Sequence, residues 1–219
     1  MKLVLILFLS LLSGVGVAQE RGQPNLIVIF CDDLGYGDLG CYGSEKNRTP
    51  NVDQLAKSGV KFTDFYSSSP VCTPSRSSLM TGCYARRVGM HEDYTGHWVL
   101  IPRSRRGLNP EELTIAEALK SAGYATACIG KWHLGDQPEH LPTKHGFDFY
   151  FGIPYSNDMQ SKRRGDPPLP LVKQFLRPSS CTARLRIESR LSGWNWLTGN
   201  SRIKPPSTKP IRNFSSFIG

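Results

Sequence analysis

The sequence contains no CxxC pair, no internal repeat and no apolar run long enough to cross a bilayer. These absences argue against a repeat array and predict no stable membrane anchor. The six cysteines, Cys31, Cys41, Cys72, Cys83, Cys128 and Cys181, build no disulfide framework, and a chain of 219 residues is too large to need one. Charge of one sign is also scarce in the body. Residues 1–172 hold 18 Lys/Arg against 17 Asp/Glu, whereas 173–219 hold 9 Lys/Arg and a single acid, Glu188. The formal charge of +9 therefore belongs almost entirely to the tail. That tail lacks a stacking or groove-reading pattern, which argues against nucleic acid as a partner.

What is present begins with an address. Lys2 precedes an apolar run, Leu3 to Leu12, broken only by Ser10, and Gly16-Val17-Ala18 ends in small residues. This is the pattern of a secretory signal peptide over residues 1–18, cut after Ala18, and it predicts a secreted or periplasmic protein. Composition is ordinary for one globular domain.

The next stretch alternates strands and helices. Asn25 to Cys31 is a continuous apolar run rich in β-branched residues and predicts a strand buried on both faces. Cys31 and Cys128 fall in apolar stretches and are expected to be buried. Thr49-Pro50 opens a helix that Gly59 stops, and Thr114 to Ala122 forms another, closed by Gly123. Val60 to Phe65 alternates and predicts a half-exposed strand; Tyr124 to Ile129 predicts a second buried strand. Such alternation favours an α/β fold with a mostly parallel sheet and helices on both faces. Ligands collect at the C-terminal ends of strands in these sheets. Asp32-Asp33 and Lys131/His133 both fall at such ends.

Adjacent carboxylates after a strand suit a hard divalent cation, and equally a turn or helix cap. Lys131 and His133, two apart on extended backbone, would face one side, as a fixed cation and a proton-exchanging group. A solvated lysine beside a packed histidine is the alternative. In Ser69-Pro70-Val71-Cys72-Thr73-Pro74-Ser75-Arg76, a potential nucleophile stands just ahead of a helix whose first turn Pro74 favours. The helix N-terminus and Arg76 both favour an anion there, and a cysteine so placed could act as a thiolate. The residues alone point to a metal-assisted site for phosphate or sulfate.

Cys72-Thr-Pro-Ser-Arg76, running into Ser77 to Gly82, resembles the signature of the type I, formylglycine-dependent sulfatases. Asp32 to Asp38, Thr49-Pro50-Asn51, Gly130 to Gly135, Gly146-Phe147-Asp148 and Phe151-Gly152 are similar to further family blocks, in family order. The likeness is nearest to arylsulfatase and N-acetylgalactosamine-6-sulfatase-like members. It implies an alkaline-phosphatase-like α/β/α sandwich. It also implies that Asp32, Asp33 and residue 72 bind calcium, less often magnesium, and that a formylglycine-generating or sulfatase-maturing enzyme oxidises Cys72. The formylglycine hydrate would attack the sulfur of a sulfated carbohydrate or aryl sulfate ester. Its second hydroxyl would then expel sulfate. Arg76 would steady the hydrate, Lys131 would hold a sulfate oxygen, His133 would remove a proton, and Ser156 would contact substrate.

The departures also shape expectation. Family members are much longer, and their later Asp-Asn pair, second His and second Lys have no counterpart here. The likeness fades near Pro167 to Leu171. The expected organisation is a signal peptide over 1–18, an incomplete catalytic domain over 19–172, and a basic non-family tail over 173–219, read as the product of a frameshift or truncation, with a functional basic tail as the alternative. Two functions are carried forward: a sulfuric ester hydrolase, and an exported remnant or binding protein without catalysis. A phosphatase or phosphodiesterase of the same fold is a third, and such enzymes usually carry Thr or Ser in place of Cys72.

Overall fold

The computed structural model describes residues 23–160 and 165–176, and 214–218 by backbone alone. The signal-peptide run and most of the basic tail lie outside the described residues.

Five strands form one sheet: β1 (Leu26–Ile29), β2 (Ala125–Lys131), β3 (Phe149–Ile153), β4 (Val172–Phe175) and β5 (Phe214–Ile218). Their order is β1-β5-β2-β3-β4. The first three pairings are parallel and β3–β4 is antiparallel, so the sheet is mostly parallel, as expected. At the β2–β3 pair Gly130 lies opposite Gly152. A Cβ on Gly152 would stand 1.8 Å from the Gly130 carbonyl oxygen, so only glycine lets these backbones pair.

Three α-helices accompany the sheet: α1 (Pro50–Ser58), α2 (Cys72–Thr81) and α3 (Ile115–Ser121). Pro50 opens α1 with its φ pre-set, and Gly59 ends it. Thr114 caps α3: its hydroxyl accepts from Glu117 N while the Glu117 carboxylate accepts from Thr114 N. Helix α2 ends at Gly82, whose positive φ of 67° a glycine adopts freely. That helix is polar yet mostly buried, and its hydroxyls satisfy themselves locally. Ser77 and Ser78 Oγ donate to Pro74 O at 2.8 and 3.0 Å, and Thr81 Oγ1 to Ser77 O at 2.8 Å. The core gathers Met80, Met90, Leu100, Leu108, Cys128, Trp132, Leu134, Phe147 and Tyr150 between α2, α3 and the strands β2 and β3.

Three expectations are corrected. Residues 60–65 form no strand. Their backbone is taken by tyrosine hydroxyls: Tyr42 Oη donates to Phe62 O, and Phe65 N donates to Tyr36 Oη. An alternating pattern makes a strand only where a neighbouring strand supplies a ladder. Strand β1 is not buried on both faces, since Ile27 and Ile29 are largely exposed among the described residues. Cys31, just past that strand, is exposed, while Cys128 in central β2 is buried as expected, and burial pushes its thiol up to about 12.

Candidate active site

An open cleft of about 560 Å³ lies beyond the C-terminal end of β1. Asp32, Asp33, Cys72 and Ser75 line it, together with Phe30, Tyr36 and Phe65. Asp33 has a φ of 55°, the left-handed geometry that Asp tolerates better than most residues. Cys72 is the first residue of α2 and half-buried, so its side chain sits at the positive end of that helix.

Behind the cleft is an ion cluster. Lys131 Nζ donates to Asp32 Oδ2, and Arg76 Nη2 lies 3.4 Å from Asp32 Oδ1. Arg76 Nη1 donates to the Lys131 carbonyl at 2.6 Å, and its guanidinium lies 5.4 Å from the Phe30 ring centre. Lys131 Nζ also reaches Ser156 Oγ at 3.4 Å. Burial pushes the Asp32 carboxyl up, but the hydrogen bond and charge of Lys131, then Arg76, outweigh it, so the net shift is down. Lys131 and Arg76 are themselves buried, which makes their charges felt over short range.

His133 lies just past β2 at a φ of 58° and is fully buried. The extended alternation expected for Lys131 and His133 therefore ends at the strand terminus. Nε2 of His133 lies 2.8 Å from the Leu100 carbonyl oxygen. A carbonyl only accepts, so Nε2 carries the proton and Nδ1 holds the free lone pair. That Nδ1 is buried with no hydrogen-bond partner among the described residues. Burial lowers the His133 pKa to about 4; the Leu100 hydrogen bond opposes this, and the charges of Lys131 and Arg76 add to it. The imidazole is neutral at pH 7.

Thr73 was not singled out by sequence, yet it ties this turn to α2. Its hydroxyl donates to His133 O at 3.0 Å and accepts from Leu100 N at 3.1 Å. Asp158 was also missed; a hydrogen bond from Ser156 holds its carboxyl below the usual range. The only sequence signal for either was adjacency to Cys72 and to Ser156. The structure thus brings Asp32, Arg76, Lys131 and Ser156 into direct contact and sets Asp33 and Cys72 on the neighbouring cleft wall. His133 is joined to them through backbone and Thr73.

The donors suit a hard divalent cation in type but not in number. Asp32 is committed to two cationic side chains, and among the described residues no group of three or more His, Cys, Asp or Glu is poised to hold a metal ion. Two carboxylates leave most of a calcium shell unfilled.

The α/β sheet with the site at its strand ends, together with likeness to solved sulfatase structures, places the fold in the alkaline-phosphatase-like class. The family model described as Sulfatase matches residues 24–184, and the chain belongs to the sulfatase family. It is 47% identical to Arylsulfatase A of Homo sapiens over 201 residues, 88% of this chain and 38% of that protein. The chain thus spans under two-fifths of that relative's length. Among solved structures it is similar to the PsFucS1 sulfatase from Pseudoalteromonas sp., with a TM-score of 0.64 and 28% identity, covering 96% of this chain and 46% of that one. It is also similar to Ps i-CgsB in complex with k-i-k-neocarrahexaose, with a TM-score of 0.62 and 30% identity, over 90% and 44% of the two chains. The family match runs past residue 172, to 184. No helix among the described residues is long and apolar enough to cross a membrane.

Proposed function

We propose that the chain carries the nucleophile-bearing part of a sulfuric ester hydrolase acting on a sulfated carbohydrate or aryl sulfate. Oxidation of Cys72 to formylglycine by a maturing enzyme would supply a hydrated aldehyde as nucleophile and, from its second hydroxyl, the means of releasing sulfate. The remaining work would fall to the side chains around the cleft. The N-terminus of α2 attracts the anionic ester. Arg76, braced by the Lys131 carbonyl and Asp32, adds fixed positive charge one turn along α2 from residue 72. Lys131 holds a sulfate oxygen and offsets charge as the alcohol leaves, with Ser156 hydrogen-bonding beside it. His133 keeps Nε2–H on the Leu100 carbonyl, which leaves Nδ1 as the nitrogen with a lone pair to take up a proton. Asp32 and Asp33 would contribute oxygens to a calcium or magnesium site. The N-terminal apolar run would export the protein to a secreted or periplasmic location.

The observation that carries this proposal is the convergence of Lys131 and Arg76 on Asp32 beside the cleft that Cys72 lines. It is tested by co-expression with a formylglycine-generating enzyme. The peptide containing residue 72 should be about 18 Da lighter, sulfur and two hydrogens having been exchanged for oxygen. The protein should then release sulfate from an aryl sulfate over many turnovers.

A further inference from the structure

The ammonium of Lys131 has three N–H donors and no acceptor. Among the described residues two of the three are engaged, one by Asp32 Oδ2 and one by Ser156 Oγ at 3.4 Å. A lysine only donates, so at this contact the Ser156 oxygen accepts. The single hydroxyl proton of Ser156 then points elsewhere, and it is taken by the carboxylate of Asp158, two residues on. Ser156 is buried just past β3, in a turn that Met159 N closes by donating to Ser156 O at 3.1 Å, while Asp158 in the same turn is exposed. The hydrogen bonds thus run in one direction, from Lys131 to Ser156 to Asp158. A hydroxyl with one proton cannot serve a carboxylate and a sulfate ester together. Acceptance follows basicity, and a carboxylate is a far stronger base than an oxygen of a sulfate monoester, so Asp158 keeps the proton. Ser156 is left to hold the ammonium, and one N–H of Lys131 remains for an anion.

We propose that Asp158 is a positioning residue: by taking the Ser156 proton it makes Ser156 an acceptor for Lys131 rather than a donor to substrate, and so fixes the direction of the one N–H left for the sulfate group. The proposal rests on the Cys72 cleft being the sulfate-ester site. It gives an exposed acid beside an anion site a favourable part in binding that anion, where its charge alone would oppose binding.

The test is equilibrium binding of inorganic sulfate to the full chain, followed by amide NMR shifts, which needs no turnover and reads the sign of the effect as well as its size. If Asp158 acted only through its charge, Asp158→Ala would remove a repulsion and tighten sulfate binding. Acting through Ser156, Asp158→Ala should instead weaken it about fivefold, the scale of one hydrogen bond. Ser156→Ala should weaken it to the same extent, and the double variant no further than either single, because the two side chains work as one unit. Asp158→Asn, whose carbonyl oxygen still accepts from Ser156, should bind sulfate at least as well as wild type. Unchanged or tighter binding by Asp158→Ala, or losses that add in the double variant, would overturn the role of Asp158 while the cleft reading stands. Lys131→Met is the control on that reading and should weaken sulfate binding in every background. If wild type binds no sulfate, or Lys131→Met binds it as wild type does, the cleft reading fails and the positioning role falls with it.

Discussion

Lys131 and Asp32, 99 positions apart in sequence, meet ammonium to carboxylate at the C-terminal ends of two strands that are not neighbours in the sheet. The pair fixes the charge of the cleft. Lys131 is almost fully buried, so its counter-ion is a requirement of its burial as much as a feature of the site.

Removing Lys131 should therefore act twice. Lys131→Met in the matured protein should lower sulfate release by roughly a hundredfold or more, the scale of losing one charge-stabilising group. It should also release Asp32 from one of its two cations and strengthen calcium binding, read by calorimetry with calcium on wild type and variant. Identical titrations would show that Lys131 does not compete for Asp32.

Cys72→Ala should abolish sulfate release, and Cys72→Ser should become sulfated once and stop. Serine has a hydroxyl to attack with but no second hydroxyl to expel the product. Intact-protein mass spectrometry after incubation with an aryl sulfate distinguishes the two. Multiple turnover by the alanine variant would remove residue 72 from the mechanism.

Thr73→Val keeps shape and deletes a hydroxyl that serves two buried backbone groups, His133 O and Leu100 N. The expected cost is about 2 kcal/mol, read as a lower urea midpoint at unchanged slope. Thr73→Ser should recover most of it. A neutral Thr73→Val would mean that the His133 turn is held by other contacts.

Acid should destabilise the fold in a defined window. Burial holds both His133 and His145 at about 4, against 6.5 for a free imidazole; at His145 the Glu117 charge opposes burial and the His140 charge reinforces it. Below pH 6.5 the unfolded chain binds protons that the folded one refuses, so stability falls until about pH 4 and then levels for these groups. Each histidine contributes a loss of up to about 3 kcal/mol. Asp32 and Asp158, both depressed below 3.8, lose their contribution only at lower pH. Urea midpoints at pH 7.5, 5.5 and 4.5 should fall in order. His145→Phe, which keeps a ring against Trp132, should flatten the slope. A flat wild-type profile would contradict the buried neutral state.

Much of the architecture was legible because its signals are local. A β-branched run marks β1, Pro50 and Gly59 bracket α1, and Thr114 with Gly123 brackets α3. The same local logic failed at 60–65, where alternation is present but the hydrogen-bond partners are the hydroxyls of Tyr36 and Tyr42. Cys31 misled for a related reason: an apolar neighbourhood in sequence says nothing about whether a strand's faces are covered. Thr73 carried no signal beyond its place next to Cys72, since one hydroxyl looks like any other until its backbone partners are known.

By itself the sequence nominated the residues proposed for the chemistry. Cys72, Arg76, Lys131 and the Asp32-Asp33 pair stand in short motifs whose helix starts and strand ends follow from side-chain sterics and backbone hydrogen bonding within a few residues. Only the tertiary structure decided how they meet. That Asp32 is shared between Lys131 and Arg76, and that the His133 lone pair lies on Nδ1, depend on strand order and on a carbonyl 33 residues away. No local pattern encodes these contacts, because burial and charge pairing are properties of neighbours in space.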